Sequence, residues 1–201
     1  MAPKLFVFLG RSGCGKGTQC ALLSDYLKEK EQKAPFYVST GDQFRKLIGS
    51  DTYTAREVKT IVDEGNFVPS FLASMMWANV IATDYTENAH MIIDGSPRTL
   101  VEKAIFDTMH YFYGEKKVFD FESVNIVFMN VSKEWAKDRL LGRARADDIN
   151  EAIEKRMYWF EKFVASVIEA YKTDAHVKFF EINGEQPIED VHKEIVSKLG
   201  L

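Results

Sequence analysis

The sequence predicts an α/β fold in three layers, with helices on both faces of a five-stranded parallel sheet. Short apolar runs alternate along the 201 residues with longer segments of helical periodicity. This alternation is typical of parallel strands joined by right-handed crossovers. A glycine-rich stretch from Gly10 to Thr18 follows the first apolar run. No internal repeat or low-complexity segment interrupts the pattern, so we expect a single domain over residues 1–201.

The first half of the chain predicts three strands and five helices. Leu5 to Leu9 is a short apolar run, typical of a strand buried on both faces. Gly49 and Gly65 separate successive helical segments. His90 to Asp94 is an apolar strand that ends in a carboxylate. The predicted strands are 5–9, 36–39 and 90–94, and the predicted helices are 15–30, 43–48, 54–64, 70–83 and 99–113.

The second half predicts two strands, at 124–131 and 177–182, and three helices. Ser132 is a candidate N-cap for a helix over 133–141, which Gly142 is expected to end. A long helix from Ile149 and a closing helix over 188–199 follow. Residues 114–121 mix charges and aromatics and are interpreted as a surface connection. The long helix carries one apolar stripe, which predicts core packing: Ile153, Met157, Phe160, Val164, Val167 and Tyr171.

Charge and cysteine content exclude several classes of protein. The net charge is −4 at pH 7, which argues against nucleic acid or an anionic membrane as the main partner. Cys14 and Cys20 have no His or Cys neighbours at metal-ligand spacing and imply no disulfide framework. The N-terminus runs directly into the first strand and leaves no room for a targeting segment. We therefore expect a cytoplasmic protein in a reducing compartment.

The stretch from Gly10 to Thr18 reads Gly-Arg-Ser-Gly-Cys-Gly-Lys-Gly-Thr and predicts a phosphate-binding loop (P-loop). Glycines allow the backbone to wrap around phosphate oxygens, and the helix N-terminus that follows presents N–H groups and a positive dipole end. Lys16 adds a charge for the outer phosphates. Because Gly17 follows the lysine, the first hydroxyl is that of Thr18. A glycine turn made for packing alone is the alternative.

Three more strings follow in order: Ser39-Thr40-Gly41-Asp42, Asp94-Gly95-Ser96-Pro97-Arg98-Thr99 and Arg145-Ala146-Asp147-Asp148. Together with the glycine-rich loop they give the chain a resemblance, over almost its whole length, to the adenylate kinase family of nucleoside monophosphate kinases. The resemblance implies a P-loop core, a helical insert at 40–69 that binds the monophosphate, and a very short lid at 142–148. That lid has no room and no cysteines for a zinc site.

The implied activity is reversible transfer of the ATP γ-phosphoryl group to a nucleoside monophosphate, with AMP as the favoured acceptor and Mg²⁺ bound with ATP. A kinase of the UMP/CMP type, or one for another base, is the alternative within this class. A non-catalytic nucleotide-binding regulator is the alternative outside it. We expect a monomer whose partners are these two nucleotides.

The resemblance also assigns roles to individual residues. For ATP binding they are Gly13, Cys14, Gly15, Lys16, Gly17, Thr18, Arg139, Arg143 and Gln186. For the monophosphate they are Thr40, Arg45, Asn66, Phe67, Val68, Gly95, Arg98, Glu102, Arg145 and Arg156. The catalytic set is Lys16, Arg98, Arg143, Arg145 and Arg156, and Asp94 is similar to the family acid that orients water on the metal.

Several interpretations stay open at this point. The arginines after residue 138 could pair on the surface with Asp147, Asp148 and Glu154, and Asp42 could be a helix cap. Ser96 stands where the family has an aromatic residue. Glu102 stands where the family has the glutamine that reads the acceptor base, and an ionised carboxylate accepts hydrogen bonds but cannot donate them. The identity of the acceptor base therefore depends on what Glu102 contacts.

Overall fold

The computed structural model describes residues 2–115, 124–143 and 148–201. The strands are β1 (Leu5–Gly10), β2 (Phe36–Ser39), β3 (Met91–Asp94), β4 (Val124–Asn130) and β5 (Lys178–Asn183). The helices are α1 (Lys16–Glu31), α2 (Thr40–Ile48), α3 (Tyr53–Asp63), α4 (Ser70–Asp84), α5 (Leu100–Glu115), α6 (Lys133–Arg143), α7 (Asn150–Trp159), α8 (Ala165–Lys172) and α9 (Ile188–Leu199). A π-helical turn, Phe160–Val164, joins α7 to α8.

The strands form one parallel sheet in the order β2-β3-β1-β4-β5, which confirms the predicted fold class. β1 lies at the centre, with Phe8 beside Asp94 of β3 and Leu5 beside both Met91 and Val124. The carboxyl ends of β1 and β3 therefore meet at one edge of the sheet, where ligands bind in open parallel sheets. The glycine-rich loop follows β1 at this edge.

Two hydrophobic clusters cover the two faces of the sheet. Phe6 and Phe8 belong to one cluster, while Leu5, Val7 and Leu9 belong to the other. All five side chains are buried to 1% exposure or less, because alternate residues of a strand point to opposite faces. Burying each such side chain stabilises the fold by about 1.5–3 kcal/mol. The central strand is thus held on both sides, and the loop after it starts from a rigid base.

The long helix contains the predicted apolar stripe, and all six of its members are buried. It is not a uniform α-helix, however, because Phe160–Val164 forms a π-helical turn. The sequence analysis did not predict this turn, since the stripe has the same apolar spacing on both sides of it. π-helical turns are rare in proteins, and those that occur are often found at functional sites.

Three predicted boundaries were wrong. α6 continues through Gly142 to Arg143, because Gly142 does not have the positive φ of a left-handed cap and a glycine inside a helix costs only about 1 kcal/mol relative to alanine. α2 begins at Thr40 because the side chain of Ser39 caps it by accepting from the N–H of Asp42. Gly114 belongs to α5. Most of the predicted surface connection at 114–121 and of the predicted lid at 142–148 lies outside the described residues, namely 116–121 and 144–147.

Three helices, α2 to α4, lie between β2 and β3. Trp77 and Ile81 of α4 belong to the core cluster, so α4 packs as part of the core layer. The segment before α4 corresponds to the predicted insert at 40–69. Within the ranges that the structure covers, no helix combines the length and apolar character required to cross a membrane.

Candidate active site

The loop between β1 and α1 has the backbone shape that its glycines predict. Gly10 and Gly13 have φ of 145° and 88°, and a Cβ added to either would lie 2.6 Å from a backbone oxygen, of Met129 or Ala136 respectively. Both positions therefore exclude a side chain on conformational and steric grounds. Gly15, the N-cap residue of α1, has no side chain to cap the helix. The first N–H groups of α1 are thus arranged for an anion.

Lys16 lies over this loop. Its Nζ donates to the carbonyl oxygens of Gly10 and Arg11, each at 2.9 Å, and lies 3.5 Å from the Sγ of Cys14. These neutral acceptors interact with an ammonium group more weakly than a phosphate does. The ammonium is therefore positioned at the loop and can exchange these partners for phosphate oxygens.

Arg11 anchors the loop to the π-helical turn, a role that the sequence analysis missed. Its Nη1 donates to the carbonyl oxygen of Val131 at 3.0 Å, and its guanidinium lies 4.1 Å from the centre of the Phe160 ring. It also forms an ion pair with Glu161. These contacts are formed between residues distant in sequence, so no local pattern could have indicated them.

A cavity adjoins the loop on the side of α6 and α9. The predicted ATP-binding residues Cys14, Gly15, Thr18, Arg139 and Gln186 line it. The guanidinium of Arg139 lies 4.8 Å from the centre of the Trp135 ring, a cation–π contact that orients the guanidinium plane. The Gln186 side chain donates to Glu194 at 2.7 Å, which fixes the segment between β5 and α9. The structure therefore brings these five residues together around one cavity.

Gln19 is another residue of this cavity that the sequence analysis did not assign. It is 3% exposed, and its Nε2 donates to the carbonyl oxygen of Ile188 at 3.0 Å. This bond holds the start of α9 against α1. Its position in the first helical turn after the loop could have indicated that Gln19 lies at this cavity.

Asp94 ends β3 next to the loop. A Cβ added to Gly17 would lie 3.4 Å from its Oδ2, and the Tyr37 hydroxyl donates to the same oxygen at 3.1 Å. Burial and the negative charge of Asp94 raise the pKa of Tyr37, so the hydroxyl stays protonated and keeps donating. Tyr37 thus orients the carboxylate, and only the pairing of β2 with β3 showed this contact.

The turn after Asp94 places Arg98 beside the sheet edge. The Nε of Arg98 donates to the carbonyl oxygen of Gly95 at 2.6 Å. The N–H of Gly95 in turn donates to the carbonyl oxygen of Phe8 at 3.1 Å. The Thr40 and Ser96 hydroxyls, both buried, lie 2.8 Å apart. Ser96, which replaces a family aromatic, therefore bonds to the start of α2. The structure therefore brings Thr40 of α2 next to the turn that contains Gly95 and Arg98.

Glu102 lies in the first turn of α5, and its side chain is 0% exposed. Its carboxylate accepts from the backbone N–H of Arg98 at 2.9 Å. Burial raises the pKa of Glu102, and this N–H opposes the rise. A contact with an acceptor base stays a prediction. The structure gives the carboxylate local partners that the sequence analysis did not anticipate.

The other residues predicted for the acceptor lie along the insert and after it. Arg45 pairs with Asp42 on α2, both well exposed. The cap is Ser39 and not Asp42, because the Ser39 hydroxyl oxygen accepts from the N–H of Asp42. Asn66 donates to Glu64 at 2.7 Å, and Val68 is half-buried. The ring of Phe67 packs 5.0 Å from that of Phe163. The end of the insert is thus anchored against the long helix.

Arg143 and Arg156 meet at one buried carboxylate. Asp148, with a fully buried side chain, accepts from Arg143 Nε at 2.8 Å, from Arg143 Nη2 at 2.9 Å and from Arg156 Nη1 at 2.7 Å. Asp148 therefore pairs with these arginines, but in the interior and not on the surface as the alternative had it, whereas Glu154 pairs with Lys133 and Lys137. Arg145, like Asp147, lies outside the described residues. Two permanent positive charges are thereby held side by side.

We expect Asp148→Asn to change how stability depends on pH. Burial raises the pKa of Asp148, but Arg143 and Arg156 outweigh it and hold the pKa below its ordinary value. The carboxylate therefore stabilises the fold fully above the unfolded pKa of about 3.9 and loses this effect as pH falls through the folded pKa. The variant should be less stable near pH 7, and the difference should shrink in acid.

Urea unfolding near pH 7 and near pH 3 measures this difference. Asp51→Asn is the control, because Asp51 pairs with Arg56 while its side chain is 99% exposed, and exposed pairs contribute little. A free-energy difference between wild type and Asp148→Asn that is the same at both pH values would contradict the assignment.

The comparisons with known proteins agree along the whole chain. A model of the adenylate kinase family matches residues 8–176. The adenylate kinase of Corynebacterium diphtheriae is 32% identical over 194 residues, which cover 96% of this chain and 98% of that protein. The adenylate kinase of Nautilia profundicola is 32% identical over 193 residues, covering 96% and 94%. UMP-CMP kinase 3 of Arabidopsis thaliana is 31% identical over 195 residues, covering 96% and 87%.

Proposed function

The chain belongs to the adenylate kinase family, and from this premise we propose that it catalyses ATP + AMP = 2 ADP with AMP as the favoured acceptor. It is a nucleoside monophosphate kinase, a nucleotide-binding transferase with a P-loop fold. One observation carries the proposal. The phosphate loop and the acceptor turn adjoin, since a Cβ on Gly17 would lie 3.4 Å from Asp94 Oδ2.

Phosphoryl transfer requires mainly positioning and positive charge around the transferring group. Lys16 on the loop and Arg98 on the acceptor turn supply charge from the two sides of the sheet edge. Arg143 and Arg156 supply two further charges, and we assign Arg145 to the same group from the sequence. Because Asp148 now holds Arg143 and Arg156, we propose that phosphate oxygens replace part of these bonds when the substrates are bound.

For ATP, we propose that the loop from Gly13 to Thr18 holds the phosphates. Arg139 would face the base, and the backbone at Gln186 would contact its edge. The cavity that these residues line supports the assignment. Arg139 already has its guanidinium oriented by Trp135, so little conformational entropy is lost when a flat base stacks on it.

For the metal, the family implies a divalent ion with ATP, and we propose Mg²⁺. Among the residues in the described ranges, no three His, Cys, Asp or Glu side chains form a group that could hold a metal ion. Asp94 suits an ion that is carried by ATP, because Mg²⁺ prefers oxygen ligands and keeps several of its waters. The Tyr37 hydroxyl fixes the carboxylate of Asp94. Bound Mg²⁺ would neutralise phosphate charge. Asp94 would orient a water on it.

For the acceptor, we propose that Thr40, Arg45, Gly95 and Arg98 bind the monophosphate together with the backbone of residues 66–68. The insert at 40–69 would close over it, and the short lid at 142–148 would close over ATP. The hydrogen bond between Thr40 and Ser96 supports this assignment, because it joins α2 of the insert to the turn that carries Arg98.

An assay of ADP formation from ATP with AMP, CMP, UMP or GMP tests the proposal. We expect AMP to give the highest kcat/KM, and ATP alone is the control for hydrolysis. A higher kcat/KM for CMP or UMP would move the protein to the other kinase type that the Arabidopsis relative represents. ADP formation with none of the four would support the non-catalytic alternative.

We also propose that the protein is a monomer in the cytoplasm. Both cysteines are free and buried, which agrees with a reducing compartment without requiring one. Light scattering of the purified protein with and without both nucleotides tests the oligomeric state.

A further inference from the structure

Glu102 and its neighbours form a closed hydrogen-bonded network at the start of α5. The Thr99 hydroxyl donates to Glu102 Oε1 at 3.4 Å, and the N–H of Glu102 donates back to Thr99 Oγ1 at 3.1 Å. Glu102 Oε2 accepts from the N–H of Arg98 at 2.9 Å. Thr99 caps the N–H of Glu102 as in a capping box, but the carboxylate accepts from the N–H of Arg98, one residue before the cap, instead of that of Thr99. Each carboxylate oxygen has a donor, as burial of an anion requires.

The network also reaches the end of the insert. The hydroxyls of Ser70 and Thr99 lie 2.9 Å apart, so Ser70 is linked to Glu102 through the Thr99 hydroxyl. Ser70 is the first residue of α4, which follows the insert at 40–69. Glu102 therefore connects three points: the backbone of Arg98, the start of α5 and the position where the insert rejoins the core.

Hydrogen bonds hold both the backbone and the side chain of Arg98. Glu102 fixes its backbone N–H, and Gly95 fixes its guanidinium through the 2.6 Å bond to Nε. A Cβ added to Gly95 would lie 2.9 Å from Nη2, so the guanidinium lies closely over the turn. A displacement of about 1 Å in a substrate-positioning group can lower a rate about a hundredfold.

We propose that Glu102 is a positioning residue for Arg98 and for the junction of the insert, and that its carboxylate does not read the acceptor base. The proposal rests on the proposed function, because it takes Arg98 as the arginine of the acceptor phosphate. A base contact would require the carboxylate to leave its donors and the protein interior. A carboxylate oxygen accepts hydrogen bonds, and both partners of the Glu102 carboxylate here, the N–H of Arg98 and the hydroxyl of Thr99, can donate.

Two variants of Glu102 separate positioning from base reading. Glu102→Gln keeps an oxygen for the N–H of Arg98, whereas Glu102→Ala keeps none. We expect Glu102→Ala to raise the KM for AMP at least tenfold and to lower kcat, with the KM for ATP within twofold of wild type. For Glu102→Gln, the KM for AMP, the KM for ATP and kcat should each stay within about threefold of the wild-type value. Both should preserve the order of kcat/KM among AMP, GMP, CMP and UMP.

Ser70→Ala and Glu169→Gln complete the set. Ser70→Ala removes the contact between Ser70 and Thr99 but leaves Arg98 bonded to Glu102, so it should raise the KM for AMP less than Glu102→Ala does. Glu169 is exposed on α8 and pairs with Lys172, and neutralising it should change neither KM. A melting curve for each variant shows whether it folds.

Two kinetic results would overturn the proposal. A tenfold or larger change in the ratio of kcat/KM for AMP to that for GMP in Glu102→Gln would make Glu102 a base reader. A lower melting temperature of Glu102→Ala with unchanged kinetic constants would make it a structural cap only.

Calorimetric binding of AMP separates this inference from the proposed function. A wild type that makes no ADP but binds AMP at least tenfold more tightly than Glu102→Ala would contradict the kinase activity and support the positioning role. A wild type that binds no monophosphate would overturn both.

Discussion

Lys16→Ala is expected to lower kcat by about a hundredfold or more, equivalent to roughly 3 kcal/mol of lost transition-state stabilisation. The variant loses the positive charge that we propose lies beside the transferring phosphoryl group. The fold should survive, because the bonds of Lys16 are to two carbonyl oxygens of its own loop. Each such bond contributes about 1 kcal/mol or less to net stability, and solvent can replace it.

Steady-state kinetics with ATP and AMP, and a thermal melt, check this expectation. Lys28→Ala is the matched control, because Lys28 is an exposed lysine in the last turn of the same helix. It should change the melting temperature by a similar small amount and leave kcat as it is. Normal turnover in Lys16→Ala would show that the loop is not the site of transfer.

Gly65→Ala is expected to destabilise the protein by roughly 2–5 kcal/mol. Gly65 has φ of 70°, and an added Cβ would lie 2.5 Å from both Cα and the carbonyl oxygen of Ala152. An alanine at this position is destabilised by the left-handed backbone conformation. Its Cβ also pushes the end of the insert away from α7. Arg156 lies one turn beyond Ala152 on α7, so we also expect a lower kcat.

Gly200→Ala separates the two causes. Gly200 has a similar φ of 63°, but a Cβ there would meet nothing within 4 Å. This control should lose only the conformational part, about 1–2 kcal/mol, and keep its kcat. Urea unfolding of the two variants gives the difference. Equal losses of stability would show that the insert does not pack tightly on α7.

The sequence predicted the order and nearly all the bounds of the helices and strands. Hydrophobic periodicity was sufficient for this because one buried face determines each element locally. It missed the start of α2, the ends of α5 and α6, and the π-helical turn. All four concern the helix backbone, which the spacing of apolar residues reports only coarsely.

The glycine-rich loop and Lys16 could also be predicted from the sequence, since their residues are consecutive and their chemistry is local. The resemblance placed Thr40, Gly95 and Arg98 near one another, and the structure has them together. The partners of charged side chains were less predictable. Asp148 was proposed as one of three possible partners for the arginines, but its burial between Arg143 and Arg156 was not.

By itself, then, the sequence determined the fold class, the phosphate loop and the family. Each of these is written in short-range patterns of hydrophobicity, glycine and charge. Only the tertiary structure decided that Tyr37 holds Asp94, that Arg11 anchors the loop to Phe160, and that Glu102 bonds to Arg98 in a closed interior. The reason is that these contacts depend on which strands become neighbours and on which side chains are buried away from water. Both are determined by packing between residues that are far apart in the chain.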